Sequence, residues 1–378
     1  MSERAVRDAG AIPPPGSVQP IMSEMLAAVL RGPGHLSVER VPAPEPVPGE
    51  VLCAVHACGI CGSDLRYLAG ENPWAVHTLG YHKPNPPAMI LGHEVAGVVE
   101  LDGRPVRAGL LAFRPCGECP DCRRGAPQLC ANTAHLGHGA GWEERGLNPG
   151  GLAELMPIWR ESVHELPDHV GFEHATFLDG LGVAVHAVDR AEVRAGDRVA
   201  VLGGGPIGLS IMQVALAQGA GAAAASDVYD AALDCARELG AQVALDGREL
   251  GPDGLVRELR SWSGGRGVEA IFDSTGDLAV QQAALAALAP GGTLMLMAGA
   301  AAGLALDAGK LAGEKRVTTS SNNLPGDFGR GLELLAEGAV RVGPMITHRF
   351  ALADAVRAFE VAASKHQTGA IKVIIRPR

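Results

Sequence analysis

Along this chain, Cys61, the pair His93-Glu94 and the run Cys116, Cys119, Cys122, Cys130 precede a glycine turn, Gly203-Gly204-Gly205-Pro206-Ile207-Gly208. The turn constrains the fold most. Gly203, Gly205 and Gly208 space as G-x-G-x-x-G, after the apolar stretch Val199-Ala200-Val201-Leu202 and before a helical pattern over 207–218. The first glycine of such a turn permits a tight bend, the second admits a pyrophosphate to the backbone, and the third lets helix and strand pack closely. The N-terminus of the helix, with Pro206 and Ile207 in its first turn, then faces the phosphates. Strand and helix patterns go on alternating to about residue 297, which predicts a doubly wound parallel sheet covered on both faces.

Upstream the texture differs. Residues 26–163 hold short apolar runs broken by proline and glycine, and read as mostly β. A chain of 378 residues exceeds what one hydrophobic core usually serves, so two domains are expected. We place one at 25–184 and 321–378, discontinuous, and the glycine-turn domain at 185–320. The tail after 320 should fold back onto the first domain. Residues 1–24, with Pro13-Pro14-Pro15-Gly16 and no apolar core, read as a disordered extension rather than a secretory signal.

The net charge is -10 and no block of lysine or arginine occurs, which argues against nucleic acid or an anionic membrane as partner. No apolar run reaches the roughly 18 residues of a membrane span. With no export signal, a cytoplasmic location and reduced cysteines are expected, and clustered reduced cysteines favour metal over disulfides.

Cys116-x2-Cys119-x2-Cys122-x7-Cys130 supplies the four thiolates of a closed tetrahedral zinc site. The competing readings are free thiols or a redox pair. Redox pairs usually open a helix, and Gly117 and Pro120 do not favour one here. Residues 115–127 should hold no regular element. A catalytic zinc needs about three protein ligands and an open position. Cys61 and His93 provide two, and the third is Glu94 or Asp179, the latter at the expected seam between domains. His77, His82, His135 and His138 read as surface or loop histidines.

Taken in order, Gly59-Ile60-Cys61-Gly62-Ser63-Asp64, Gly92-His93-Glu94, the cysteine run, residues 178–186 and the glycine turn resemble the zinc-dependent medium-chain alcohol and polyol dehydrogenases. The resemblance covers nearly all of residues 25–378. It implies a GroES-like β-barrel catalytic domain beside a Rossmann domain, an α/β protein with two zinc ions per chain, one catalytic and one structural. It also implies NAD as cofactor, a small alcohol or polyol as substrate, and a homodimer or homotetramer with subunit contacts near 293–297 and 318–320. The family places its third ligand where Asp179 stands, which favours Asp179 with Glu94 exchanging or lying behind the metal. That position draws the chain toward the sorbitol and threonine branch. Ser63 becomes the first proton acceptor, and Arg66 stands where many relatives carry a relay histidine. An arginine cannot exchange a proton at working pH. The candidate catalytic side chains are therefore Ser63, Glu94 and Tyr67, which lies just past the metal motif at the start of a loop rich in aromatics. Asp227, at the end of the second strand of the turn domain, is placed to bind ribose hydroxyls and to repel a 2′-phosphate. No lysine or arginine lies between it and Asp234. A threonine- or formaldehyde-type dehydrogenase, or a non-catalytic nucleotide-binding relative, are the alternatives.

Overall fold

The structure is a computed structural model and describes residues 23–141, 146–298, 304–306 and 308–377. Most of the expected extension lies outside the described residues, and Glu24 already opens a strand. Among the described residues, ten strands form the first part. They are β1 (Glu24–Leu30), β2 (Leu36–Pro42), β3 (Glu50–Gly59), β4 (Met89–Ile90) and β5 (Glu94–Leu101), then β6 (Arg104–Leu110), β7 (Phe113–Arg114), β8 (Ala134–His135), β9 (Leu155–Trp159) and β10 (Val163–Glu165). A three-stranded sheet has the order β2-β1-β4, and β7 pairs with β8.

The second part is a six-stranded, all-parallel sheet. Its strands are β11 (Arg198–Leu202), β12 (Ala222–Asp227), β13 (Val243–Asp246), β14 (Val268–Asp273), β15 (Leu288–Leu296) and β16 (Arg316–Thr319). They lie in the order β13-β12-β11-β14-β15-β16. The order reverses beside β11, so a crevice opens at its carboxyl end, where ligands of doubly wound sheets bind. Burial on both faces explains the near-continuous apolar runs: Val199, Ala200, Val201 and Leu202 are all buried. Helices Pro206–Ala217, Asp230–Glu238, Gly247–Trp262 and Leu278–Ala287 connect the strands. The third is kinked at Gly251, ahead of Pro252.

Two final strands, β17 (Ile346–Ala351) and β18 (Lys372–Arg376), run parallel to each other. β18 also pairs antiparallel with β3, through Ile374 opposite Gly59 and Ile375 opposite Cys58. The sheet so completed has the order β10-β6-β5-β3-β18-β17, with β9 also on β3. The chain thus returns to the first part across the whole intervening sheet.

Two local readings change. Residues 115–127 do contain a helical turn, Pro120–Arg123, with Pro120 at its first position and the Cys119 sulfur accepting from Cys122 N–H. The expected division between 184 and 185 falls inside one continuous helix, Leu178–Arg190. That helix packs on helices Pro206–Ala217 and Pro325–Ala336, so its apolar residues belong to a core shared with the parallel sheet. No helix among the described residues is long and apolar enough to cross a membrane.

Candidate metal centres and cofactor cleft

The cysteine lobe has the dimensions of a zinc cage. A zinc–sulfur bond of about 2.3 Å implies a tetrahedron with edges of about 3.8 Å. The sulfurs of Cys130 and Cys116 are 3.5 Å apart, those of Cys119 and Cys130 3.8 Å, and those of Cys116 and Cys122 4.0 Å. Backbone N–H groups of Cys116, Cys119 and Cys122 donate to the sulfurs of Cys130, Cys116 and Cys119 at 3.4–3.5 Å. Backbone donors at Glu118 and Cys119 bring the Cys116 thiol down to about 6, while burial pushes Cys130 up to about 12. Four sulfurs this close cannot all ionise without a cation among them, and the cage fits a closed zinc site.

The second centre forms where β3, β5 and the helix Gly62–Leu68 converge. Cys61 is the N-cap of that helix, and β5 begins immediately after His93. Donor atoms of Cys61, His93 and Glu94 lie within 4.8 Å of one another. Asp179 does not join that set, but its charge acts on His93 from the first turn of helix Leu178–Arg190. Gly59 stands opposite Glu94 in the β3–β5 register, and a Cβ there would come within 2.2 Å of the Glu94 Oε2. The missing side chain is what leaves room for the carboxylate.

Behind these donors lie two charged groups that sequence reasoning did not single out. Asp64, fully buried, accepts from Cys61 N–H at 2.8 Å and Gly92 N–H at 3.2 Å, and its Oδ1 is 3.8 Å from His93 Nδ1. It therefore orients both expected ligands. Lys372, at the start of β18, donates to Glu94 in an ion pair whose side chains are only 3% and 4% exposed. The signal for Asp64 was present in the Cys-Gly-Ser-Asp motif. Lys372 is 278 positions from Glu94 and left none.

The electrostatics ask for a cation. Burial disfavours the His93 imidazolium, but the nearby Cys61 sulfur, Asp64 and Asp179 outweigh it and hold His93 up at about 10. Burial raises Asp179 to about 6, with His93 opposing and Glu94 reinforcing. One thiol and three carboxylates thus face a single imidazole and one ammonium. That donor set fits a divalent, borderline-soft ion. Ser63 Oγ, buried in the same turn, has no hydrogen-bond partner.

Tyr67 is fully buried rather than on a cleft wall. Its hydroxyl meets His138 Nδ1 at 3.0 Å and Asn72 Oδ1 at 3.3 Å, and burial holds its phenol well above the ordinary range. The histidines expected at the surface divide. His77 and His82 are exposed, but His135 and His138 are buried against His93. Their rings stack at 3.9 Å, and His138 meets His93 edge-on at 4.5 Å. Burial lowers both well below the usual imidazole value. The reason is a local fold-back: Leu136 N–H donates to Ala112 and Gly137 N–H to Pro149, which carries the His-x2-His segment beneath the metal motif. Arg66 is held by Glu71 at 2.7 Å and His77 at 3.0 Å.

The glycine turn has the expected form. Gly203 adopts φ +101°, Gly205 caps the helix Pro206–Ala217, and a Cβ on Gly208 would lie 1.9 Å from the Gly203 carbonyl. A cavity of about 470 Å³ opens beside it, walled by Gly203, Gly204, Gly205 and Asp227. Asp227 accepts from the N–H groups of Gly204, Val228 and Tyr229 at 2.6–2.9 Å. A smaller cavity of about 70 Å³ is walled by Cys61 and Glu94 on one side and Pro206 and Ile207 on the other. The candidate metal ligands and the cofactor turn therefore share one cleft.

Comparison with known proteins agrees. Residues 47–168 match the alcohol dehydrogenase GroES-like domain, and residues 206–337 match the zinc-binding dehydrogenase family. The chain is 32% identical to sorbitol dehydrogenase of Ovis aries over 369 residues, covering 94% of this chain and 97% of that one. It is 29% identical to D-xylulose reductase of Saccharomyces cerevisiae, over 92% and 97% of the two chains. Among solved structures, it resembles a protein from Sinorhizobium meliloti 1021, described as a zinc-binding dehydrogenase and bound to NADP. The TM-score is 0.79 at 30% identity, over 94% of this chain and 100% of the other. An alcohol dehydrogenase from Thermus sp. ATN1 gives a TM-score of 0.79 at 28% identity with the same coverage. The chain belongs to the zinc-dependent medium-chain alcohol and polyol dehydrogenases.

Proposed function

We propose that this dehydrogenase oxidises a polyol or a secondary alcohol, with NAD as hydride acceptor and Cys61, His93 and one carboxylate holding the catalytic metal. The observation that carries the proposal is the shared cleft, in which Cys61 and Glu94 face Pro206 and Ile207 of the cofactor turn. A zinc ion there would polarise the substrate hydroxyl and lower its pKa. The nicotinamide supplies the hydride acceptor, and the protein's part is to orient it. Glu94 lies within the donor set but is paired with Lys372. Asp179 is the alternative third ligand; the Lys372 charge reaches it, but among the described residues the lysine's hydrogen bond goes to Glu94.

Ser63 takes the hydroxyl proton in this reading, a role supported by its unpartnered Oγ. Arg66, tied to Glu71 and His77, passes no proton onward, so the route continues through ribose hydroxyls and water. Tyr67 and His138 stiffen the wall behind His93. Asp227 favours NAD over NADP because a 2′-phosphate would meet its carboxylate. The family resemblance supports a homodimer or homotetramer in the cytoplasm, and β16, the edge strand of its sheet among the described residues, supports the association.

Sorbitol dehydrogenase and D-xylulose reductase among the relatives favour a polyol. The test is a panel of polyols, secondary alcohols, threonine and formaldehyde, each with NAD and NADP and read by reduced-nicotinamide absorbance. Turnover of threonine or formaldehyde alone would move the chain to that branch. No turnover with any member, despite dinucleotide binding, would favour the non-catalytic reading. Equal rates with NADP, or unchanged selectivity in Asp227→Ala, would remove Asp227 from its role.

A further inference from the structure

The two cavities of the cleft meet at a common wall. The larger holds the glycine turn, Asp227 and Asp277, and the smaller holds Cys61, Glu94 and Lys372. Three residues line both: Lys365, Ala370 and Ile371. A dinucleotide seated in the larger cavity with its nicotinamide end toward the smaller one must run its diphosphate along the shared wall. This rests on reading the cleft as a dinucleotide site.

Charge along that path is uneven. The larger cavity's wall carries two carboxylates, Asp227 and Asp277, and a single ammonium, Lys365. The Gly204 N–H, one of the donors a phosphate would use, is taken by Asp227 at 2.6 Å. The N-terminus of helix Pro206–Ala217 supplies only a partial positive charge. Lys372, the other lysine of the cleft, is buried against Glu94. Lys365 is half-buried, and among the described residues its ammonium has no carboxylate partner.

We propose that Lys365 is the cation that binds the cofactor's diphosphate. The backbone of the glycine turn grips the phosphates from the parallel-sheet side, and Lys365 meets them from the other. Lys365 opens the short helix Lys365–Thr368, between the helix Ala355–Ala363 and β18. Its contact therefore ties the β18 segment, which carries Lys372 and completes the metal-bearing sheet, to the bound dinucleotide.

The test compares Lys365→Gln and Lys365→Arg with the wild-type protein, by titration with NADH, NADPH, ADP and adenosine at two salt concentrations. Loss of one charge-assisted contact should weaken NADH and ADP about tenfold or more, and leave adenosine within about twofold. The salt dependence of NADH binding should flatten in Lys365→Gln. Lys365→Arg should recover most of the affinity. Unchanged NADH and ADP affinity in Lys365→Gln would overturn the assignment. So would a loss confined to NADPH, because Lys365 would then read a 2′-phosphate instead. A wild-type chain that binds neither dinucleotide would overturn the reading of the cleft itself, and this assignment with it.

Discussion

Lys372→Met removes the cation of a pair whose side chains are 3% and 4% exposed. Methionine keeps most of the volume, so the lost term is electrostatic. Glu94 is left as a buried carboxylate without its partner, a change that costs about 3–5 kcal/mol. Unfolding entropy near the midpoint is about 2.1 cal/mol/K per residue. For 378 residues unfolding in one step, that is about 0.8 kcal/mol per degree, so the midpoint should fall by about 4–6 °C. The double variant Lys372→Met/Glu94→Gln removes both charges and should recover more than half of the loss. Scanning calorimetry of chelated protein measures this without competition from a bound metal. A single variant that melts within a degree of wild type, or a double variant no more stable than the single, would refute the claim that these charges depend on each other.

Other consequences can be measured as directly. Elemental analysis should find about two zinc ions per chain; Cys61→Ala should lose one together with turnover, whereas Cys119→Ala should lose one and lower the melting temperature. Gly208→Ala sets a methyl 1.9 Å from the Gly203 carbonyl, so it should displace the turn, destabilise by about 1–3 kcal/mol and weaken NADH binding at least tenfold, as read by NADH fluorescence titration. In chelated protein, the folded chain binds protons at Asp179 and His93 more tightly than the unfolded one. Stability should therefore fall as pH rises, first between about 4 and 6 and again between about 6.5 and 10; Asp179→Asn should flatten the first step in urea melts. His138→Phe deletes the nearer of the two partners of the Tyr67 hydroxyl, leaves Asn72, and should destabilise by about 1–3 kcal/mol in the same assay.

What could be seen in the sequence was whatever is written locally. The spacing of Gly203, Gly205 and Gly208 is set by one turn and its flanking strand and helix. The cysteine cage closes within a single loop. Cys61 and His93 sit in short motifs, and Gly92, at φ +94°, sets the backbone ahead of His93. The rest depends on pairing between distant segments. Lys372 meets Glu94 only because β18 returns to β3, and neither residue advertises the other. His135 and His138 follow a polar lobe and look like loop residues; they are buried because their segment folds back under Ala112 and Pro149. Tyr67 lies just past the metal motif in sequence, yet whether its ring faces solvent or core depends on those same histidines.

The position of β18 has a bearing on how the protein is made. On the ribosome, β3 and β5 emerge roughly three hundred residues ahead of β18, the strand that flanks β3 on its other side, whereas all six strands of the parallel sheet lie within 198–319. Until translation reaches Lys372, the Cys58–Gly59 end of β3 has β5 on one side but no strand on the other, and Glu94 lacks its lysine partner. A nascent chain arrested short of that lysine should already protect its parallel sheet from protease while the metal-bearing half stays labile, so productive zinc capture at Cys61 and His93 would be among the last steps of maturation.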